Sequence, residues 1–136
     1  MKKFVVNTSV IISTLIKANK ETIALFTQTD YLFFAPEEIL KEIDKYKKLI
    51  AKKSGLNLVE IDFILSLIFT QINLIPKENY TKFLDKALKI TKEVDINDAP
   101  FVAVYFAVRA EGIISYDKDF DRMGLKRYIP KDLINR

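Results

Sequence analysis

The sequence predicts an α/β fold in which helices cover both faces of a parallel sheet. Short apolar segments such as "FVV" at 4–6 lack the alternation of a half-exposed strand, which is typical of strands buried on both faces. These segments alternate with longer ones of helical periodicity, and this order favours a parallel sheet. A chain of 136 residues, of which 49% are hydrophobic and 29% charged, is expected to form a single domain over 1–136.

The N-terminal part is predicted to contain two strands and two helical pieces. The first strand covers 4–6. Ser9 can cap a helix through Ile16, because a serine hydroxyl accepts hydrogen bonds from the first free amides of a helix. A second helical piece follows over 21–28, and the apolar segment at 31–34 is the second strand.

The middle of the chain carries recognisable helix boundaries. Pro36 suits the first residue of a helix, where an amide hydrogen is not needed, and Gly55 can end that helix in the left-handed conformation. Asn57 and Glu60 have the spacing of a capping box at the start of an apolar helix. The predicted elements are helices over 36–53 and 57–70, a strand over 72–75 and a helix over 80–92.

The C-terminal part centres on "APFVAVYFAV" at 99–108. This segment is apolar on every side, which predicts a helix buried at the centre of the fold. The polar segment "DIND" at 95–98 leads into it. After it we predict a strand over 112–115, an acidic turn, a short strand near 128–129 and a last helix that begins at Pro130.

The chain has no cysteine and no histidine, which excludes several kinds of chemistry. Disulfides, thiolate nucleophiles, zinc sites of the Cys/His type and mechanisms with an imidazole base all require these residues. Carboxylates, hydroxyls, amides, lysines and oxygen-bound cations such as Mg²⁺ or Mn²⁺ remain. The net charge of +4 favours an anionic partner. No apolar stretch has the length of a membrane span, so the expected location is the cytoplasm.

Several acidic side chains are predicted to meet at one edge of the sheet. Ligands of such sheets bind at the carboxyl ends of the strands. Asn7 follows the first strand there, and Asp117 and Asp119 follow the strand "GIIS". Asp95 and Asp98 precede the buried helix, where they could also serve only as caps, just as the other two acids could be ordinary turn residues. Clustered carboxylates repel each other, and a divalent cation is the usual reason for gathering them.

Glu42 is a further candidate, because it lies at the edge of the predicted buried stripe of its helix. That stripe consists of Ile39, Ile43, Tyr46 and Ile50. A glutamate beside the core is harder to explain as solvated surface than the acids on the opposite face. The alternative is that its long side chain bends out to water.

In their order along the chain, these motifs resemble the PIN domain family. The motifs are "NTS" after the first strand, "PEEILKEI" after the second, "DINDAPFVAVYFAV", and "SYDKDF" before the last strand and helix. The similarity extends over essentially the whole chain and is greatest to small prokaryotic PIN proteins, which include the VapC-type toxins of toxin–antitoxin pairs. The resemblance implies a three-layer α/β/α sandwich with four to five parallel strands. It also implies a ribonuclease that depends on Mg²⁺ or Mn²⁺ and cleaves single-stranded RNA.

The resemblance further implies the site and its partners. The family's four catalytic and metal-binding positions correspond to Asn7, Glu42, Asp98 and Asp117. Ser9, Asp95 and Asp119 would support them. One or two cations would activate water for in-line attack on a phosphodiester, and no histidine is required. Besides RNA, the implied partners are an antitoxin protein and a second copy of the chain.

A basic groove would hold the RNA, although lysines in a row on a helix can also be solvated surface. The candidate residues are Lys45, Lys48, Lys52 and Arg122, with Arg109, Lys126 and Arg127 in addition.

Asn7 departs from the family pattern, which has an aspartate at this position. An asparagine keeps an oxygen but lacks the charge, and it cannot accept a proton or bridge two cations. One unit charge about 4 Å from a divalent cation is worth on the order of several kcal/mol even when screened. We therefore expect weak or no activity, whether the asparagine arose in a natural lineage or was introduced to silence a toxic nuclease.

Other functions fit the sequence less well, with one exception. A non-catalytic PIN-like module that binds RNA or protein is the main alternative. A phosphatase or phospho-receiver would need an aspartate nucleophile where Asn7 stands, and a dinucleotide enzyme would need a G-x-G-x-x-G motif after the first strand.

Overall fold

Within the part of the chain that the structure describes, residues 1–27 and 30–134, five strands form one all-parallel sheet. This structure is a computed structural model. The strand order is β3-β2-β1-β4-β5. The strands are β1 (Lys2–Val6), β2 (Tyr31–Pro36), β3 (Ile72–Ile75), β4 (Gly112–Ile114) and β5 (Arg127–Tyr128). The predicted fold class is confirmed.

Helices cover both faces of the sheet and complete a three-layer α/β/α sandwich. They are α1 (Thr8–Lys17), α2 (Lys20–Phe26), α3 (Glu38–Ser54), α4 (Leu58–Phe69), α5 (Lys77–Tyr80), α6 (Leu84–Thr91), α7 (Ala99–Val108), α8 (Asp119–Arg122) and α9 (Pro130–Leu133). Short 3₁₀ helices, Thr81–Phe83 and Ile96–Asp98, lead into α6 and α7. No helix of the described residues is long and apolar enough to cross a membrane.

The order in which the chain adds strands to the sheet reverses next to β1. From β1 the chain winds outward through β2 to β3, and it then crosses back to build β4 and β5 on the other side of β1. Such a reversal opens a crevice at the carboxyl ends of the two strands on either side of it. The register pairs Val6 with Ile114, and the Asn7 amide donates to the Ile114 carbonyl at 3.0 Å. The residues that follow β1 and β4 therefore lie side by side.

The centre of the sheet and α7 form the core. Val5, Val6, Ile113 and Ile114 are fully buried, as expected for strands covered on both faces. The first half of α7 is buried and packs on β1 and β2, whereas 105–108 are half-buried. The N-terminal half of this all-apolar helix is thus part of the core. Because Asp98 directly precedes it, the packing of α7 fixes the position of Asp98.

Two helix boundaries agree with the sequence prediction. Asn57 and Glu60 form a reciprocal capping box at the start of α4, with N–O distances of 2.8 and 3.0 Å. Gly55 follows α3 with φ of +77°, a left-handed conformation that glycine adopts without a steric penalty.

The start of α1 differs from the prediction that Ser9 is its cap. Asn7 is the cap, and its Oδ1 accepts a hydrogen bond from the Ser9 amide at 3.3 Å. The helix consequently begins at Thr8. The Ser9 hydroxyl is not available as a cap because it accepts a hydrogen bond from the Tyr116 amide at 3.1 Å.

Pro36 is the last residue of β2 and not the first residue of a helix. It pairs in register with Ile75, and the Glu37 amide donates to the Ile75 carbonyl at 3.0 Å. Because strand pairing with β3 continues to this point, α3 starts only at Glu38. The missing amide of proline is tolerated here because the following residue makes the next sheet hydrogen bond.

The predicted helix over 80–92 is interrupted. Tyr80 ends α5 with a buried side chain, and its φ of −118° departs from helical geometry. The Thr81 hydroxyl bonds to the Lys77 carbonyl at 2.6 Å, and a 3₁₀ helix then leads to Leu84. The last residue of the predicted helix over 21–28 lies outside the described residues, and α2 itself ends at Phe26.

Candidate active site

A cleft of about 790 Å³ lies at the carboxyl ends of β1 and β4. Its walls come from α1, α3, α5, α6 and the segment 95–100. Most of the predicted site residues line it: Asn7, Ser9, Glu42, Lys45, Asp95, Asp98 and Asp117. The expectation that strand ends gather these side chains therefore agrees with the geometry, while their roles stay predictions.

Acids from distant parts of the sequence meet at the floor of the cleft, which Asp119 adjoins without lining it. Asp95, Asp98 and Asp119 each present a carboxylate oxygen, and these oxygens lie within 4.8 Å of one another. Glu42 and Asp117 lie near enough to act on the Asp98 carboxyl by charge repulsion. The predicted supporting acids, Asp95 and Asp119, are thus as central to the cluster as the predicted primary ones.

Asp98 is the most perturbed of these acids. Only 7% of its surface is exposed, and its Oδ2 has no hydrogen-bond partner among the described residues. Burial is the main reason that its pKa rises from 3.8 to about 7, and repulsion by the neighbouring carboxylates adds to the rise. A buried carboxylate with one unpaired oxygen is a group that a cation would stabilise.

Glu42 is half-buried on α3 and faces the same floor. Burial raises its pKa, the Thr8 hydroxyl and Lys45 oppose this rise, and Asp95 adds to it. The Thr8 Oγ1 is itself buried and makes no well-formed hydrogen bond within residues 1–27 and 30–134. The prediction that Glu42 turns inward agrees with this position. Tyr46 does not belong to the buried stripe, because 43% of its surface is exposed and it lines the cleft.

Asn7 is buried at the end of β1, with 5% of its surface exposed. Its Oδ1 accepts two hydrogen bonds, one from the Ser9 amide at 3.3 Å and one from the Ser115 hydroxyl at 3.0 Å. A carbonyl oxygen has two lone pairs, so both are in use. The metal-binding role that the resemblance implies for Asn7 stays a prediction, and it would require one of these bonds to break.

Hydroxyl groups connect Asn7 to the loop that carries the acids after β4. Since Ser115 gives its hydrogen to Asn7, the Ser9 hydroxyl, 3.1 Å away, donates to Ser115 Oγ. Ser115 Oγ also accepts from the Asp117 amide at 2.9 Å, and Asp117 Oδ1 accepts from the Asp119 amide at 2.9 Å. Ser9 therefore orients the loop of Asp117 and Asp119.

Sequence reasoning missed two of the polar residues at the floor. Ser115 is fully buried, and Thr8 is nearly so. Ser115 stands directly after an apolar strand in "GIIS", and this position, shared with Asn7 at the end of β1, is the signal that could have identified it. Thr8 follows Asn7 and offers no comparable signal.

The predicted RNA-binding residues are only partly brought to the cleft. Lys45 lines it, together with Lys41 and Lys77, which sequence reasoning did not single out. Lys48 and Lys52 are exposed farther along α3 and do not line the cleft. Two of the three lysines of the cleft, Lys41 and Lys45, are therefore neighbours of Glu42 on α3.

The other basic residues proposed for the groove lie in different places relative to the cleft. Arg122 is exposed beside the site, with its Nη1 at 3.8 Å from the Asp119 Oδ1. Arg127 bonds to both oxygens of Asp121 at 3.0 and 3.1 Å, so its guanidinium is committed to that pair. Arg109 and Lys126 precede β4 and β5, which places them at the opposite edge of the parallel sheet. The expectation that these last two border the cleft is wrong.

A second cavity, of about 940 Å³, lies away from these acids. Apolar side chains from α1, α2 and α4 dominate its lining, among them Leu15, Phe26 and Leu67. On α4 the neighbouring side chains Val59 and Phe63 are also largely exposed. This surface carries none of the predicted site residues.

The donor set of the cleft fits a hard divalent cation. Every candidate ligand is a carboxylate, amide or hydroxyl oxygen, the type that Mg²⁺ and Mn²⁺ prefer. The Asp98 carboxylate belongs to the cluster, and its Oδ2 is buried without a hydrogen-bond donor among the described residues. Asp95, Asp98 and Asp119 could hold the ion, with Glu42 and Asp117 on either side.

Comparison with the sequence models of known protein families gives a match over most of the chain. The sequence model of a family described as "PIN domain" matches residues 5–132 of the chain. The matched region begins within β1, ends within α9 and contains every acid of the cluster. A search of curated proteins finds no match.

Proposed function

Because the chain belongs to the PIN domain family, whose members are generally nucleases that depend on divalent metals, we propose that it is an endoribonuclease of this type. Its substrate would be single-stranded RNA, and Asn7 would leave its activity weak or absent. The observation that carries this proposal is the group of carboxylates around the buried Asp98, one oxygen of which has no donor among the described residues, in a cleft that lysines also line.

The residues of the cleft would have three separate roles in such a reaction: binding the cation, binding phosphate and stacking a base. The acids would hold Mg²⁺ or Mn²⁺, which when bound would shield the phosphate and lower the pKa of the attacking water. Lys41, Lys45 and Lys77 would bind phosphate groups at the rim. The exposed ring of Tyr46 lines the same cleft and offers a face on which a base can stack. Single strands fit this arrangement because their bases are free to stack.

The hydrogen bonds of Asn7 support the proposal of weakened activity, because they occupy its only side-chain oxygen. An aspartate at this position could keep the bonds to Ser9 and Ser115 with one oxygen and present the second, charged oxygen to the cleft. Asn7 presents an uncharged amide nitrogen instead. The cleft that Asn7 shares with Asp98 would therefore lack one negative charge.

The test compares the chain with its Asn7→Asp variant. We expect the variant to bind Mn²⁺ at least about tenfold more tightly and to cleave labelled single-stranded RNA faster, because an added charge near a divalent cation is worth several kcal/mol. The measurements are a Mn²⁺ titration and a cleavage time course. Asp98→Asn in the Asn7→Asp background is the control that should remove the gain. Equal, near-zero cleavage by the chain and by Asn7→Asp would argue against a nuclease.

A second function is favoured by the same residue. A PIN-like module that binds RNA or protein without cutting needs the cleft but not the missing charge, and Asn7 is fully used in holding the loop after β4. RNA binding that persists in EDTA, together with no cleavage in Mn²⁺ by either the chain or its Asn7→Asp variant, would support this function over the first.

The proposal extends to the protein partners that the resemblance implies. As a toxin of a toxin–antitoxin pair in the cytoplasm, the chain would bind an antitoxin, and it would also form a homodimer. The apolar cavity beside α2 and the exposed side chains of α4, Val59 and Phe63, are the surface that supports protein contacts. Exposed apolar patches of this kind commonly mark interaction sites.

A further inference from the structure

We infer that Asp95, Asp98 and Asp119 hold the cation and that Asn7 lies outside its coordination sphere. The inference rests on the proposed function, since it presumes that a divalent cation belongs in this cleft. The ligand set differs from the one that the resemblance implies, Asn7, Glu42, Asp98 and Asp117, because only Asp98 belongs to both.

The hydrogen bonds of Asn7 give the first reason. A backbone amide can only donate, so the bond from the Ser9 amide identifies the oxygen of the Asn7 side chain and fixes which way the amide faces. The Ser115 hydroxyl occupies the second lone pair of that oxygen. Coordination by Asn7 would remove the cap of α1 or the link to Ser115. The amide nitrogen, which carries partial positive charge, would repel a cation.

The spacing of the three carboxylates gives the second reason. In octahedral coordination with metal–oxygen distances of about 2.1 Å, ligand oxygens lie about 3 Å apart when adjacent and about 4.2 Å apart when opposite. The oxygens of Asp95, Asp98 and Asp119 already lie within 4.8 Å of one another. Small side-chain rotations are enough to bring them onto one ion.

The unpaired oxygen of Asp98 gives the third reason, and it is independent of the clustering. Asp98 is more than nine-tenths buried, and no group in the described ranges 1–27 and 30–134 donates to its Oδ2. Buried polar atoms normally have a partner, so an oxygen of a cluster carboxylate that lacks one points to a bound ligand. A cation among the three acids would be that partner.

Asp117 is a positioning residue in this arrangement. Its Oδ1 accepts the Asp119 amide at 2.9 Å, and its own amide is held by Ser115 at 2.9 Å. These bonds set the direction of the turn from which Asp119 reaches the cluster. An asparagine can accept the same bond, so Asp117→Asn should preserve the turn.

The experiment measures Mn²⁺ affinity by titration calorimetry, with the Mn²⁺-induced rise in melting temperature as a second reading. We expect Asp95→Asn and Asp119→Asn to weaken binding by about tenfold or more, because each removes a ligand charge. Asn7→Ser should stay within about threefold of the unaltered chain, since serine preserves the cap and no charge is removed from the cleft. Asp117→Asn should weaken binding less than Asp95→Asn or Asp119→Asn, because it removes a nearby charge but no ligand and preserves the turn. Asn at position 95 likewise keeps the bond to the Asn97 amide.

Glu93→Gln is the matched control, because it removes one exposed acid two residues from Asp95 and outside the cluster. If it weakens binding as much as Asp95→Asn, the effect is general electrostatics and the inference is overturned. The inference is also overturned if Asn7→Ser or Asp117→Asn loses as much affinity as Asp95→Asn. If the unaltered chain fails to bind Mn²⁺ and Asn7→Asp binds it, position 7 is needed for coordination and the inference alone is overturned. Failure of both chains to bind Mn²⁺ would overturn the metal-dependent function as well.

Discussion

Asn7 and Asp98 are both buried at the same edge of the sheet, but they differ in how well their polar atoms are hydrogen-bonded. Asn7 has each lone pair of its oxygen satisfied, whereas Asp98 has one oxygen without a donor among the described residues. A buried amide is tolerated when its hydrogen bonds are made, but a buried charge is costly unless a partner charge or a cation compensates for it. In the metal-free chain, the instability of the site therefore concentrates at Asp98.

This difference predicts how Asp98 affects stability in EDTA. The pKa of Asp98 is about 7 in the folded chain and near 3.8 when unfolded. Between these values the folded state holds more protons, so the free energy of unfolding falls as the pH rises from about 4 to 7. Asp98→Asn removes this dependence. We expect it to stabilise the metal-free protein at pH 8 by about 1 to 3 kcal/mol, measured by urea unfolding.

The comparison at low pH serves as the control for that prediction. At pH 4 Asp98 is protonated in the folded chain, so Asp98→Asn should change the free energy of unfolding little. With saturating Mn²⁺ at pH 8 the order should reverse, because the variant loses the stabilisation that comes from ligand binding. An equal gain at pH 4 and pH 8 would show that the substitution acts through packing and not through charge.

The residues of the cleft were predictable where a strand end fixed their position. Asn7 and Asp117 follow parallel neighbouring strands, and this placement follows from topology alone. The prominence of Asp119 and Asp95 was not predictable, because it depends on the turn that Asp117 makes and on the 3₁₀ helix before α7. Such turns are set by individual hydrogen bonds, which periodicity does not reveal.

At the scale of elements, the packing between β4 and β5 leaves no room for a side chain at Gly112. Gly112 pairs with Phe4 at the start of β4, and a Cβ built there would lie 2.5 Å from the Tyr128 ring and 3.0 Å from the Lys126 carbonyl oxygen. The Tyr128 ring also packs edge-on against Phe4, with 5.6 Å between the ring centroids. Glycine is required here by space and not by its backbone angles.

Gly112→Ala should therefore destabilise the fold by about 1 to 3 kcal/mol, because overpacking forces neighbouring groups to move. Urea unfolding with an unchanged m-value measures this loss. The clash involves mainly the Tyr128 ring, so Gly112→Ala combined with Tyr128→Leu should be more stable than the sum of the single changes predicts. Strict additivity would indicate that the lost stability has another cause.

Elements were predictable from the sequence to the extent that burial determines them. The buried strands are short apolar segments without alternation, α7 is apolar throughout, and the cap of α4 uses only local side chains. The break between α5 and α6 was not predictable, because the buried side chain of Tyr80 sets it through tertiary packing. Pro36 was assigned to the wrong element since its pairing with Ile75 in β3 depends on a contact distant in sequence.

For the whole molecule, the distribution of charge in the cleft bears on RNA and cation binding more directly than the net charge of +4 does. Acids occupy the floor of the cleft, and Lys41, Lys45 and Lys77 occupy its rim. The carboxylates repel RNA phosphates unless a cation compensates for them, whereas the lysines attract phosphates at any cation concentration. RNA binding and cation binding should accordingly separate in experiment: the rim retains affinity in EDTA, and the floor supplies the dependence on Mn²⁺.

Lys45 is the rim residue best placed to test this separation, because it lines the cleft and acts on Glu42 by charge. We expect Lys45→Gln to weaken binding of single-stranded RNA in EDTA and to reduce the slope of log K against log salt by about 0.7, the value for one phosphate contact. Lys52→Gln is the matched control, since Lys52 lies on the same helix but does not line the cleft. Fluorescence anisotropy of labelled RNA at several salt concentrations measures both slopes. Equal reductions for the two variants would mean that the RNA follows the solvated face of α3, and not the cleft.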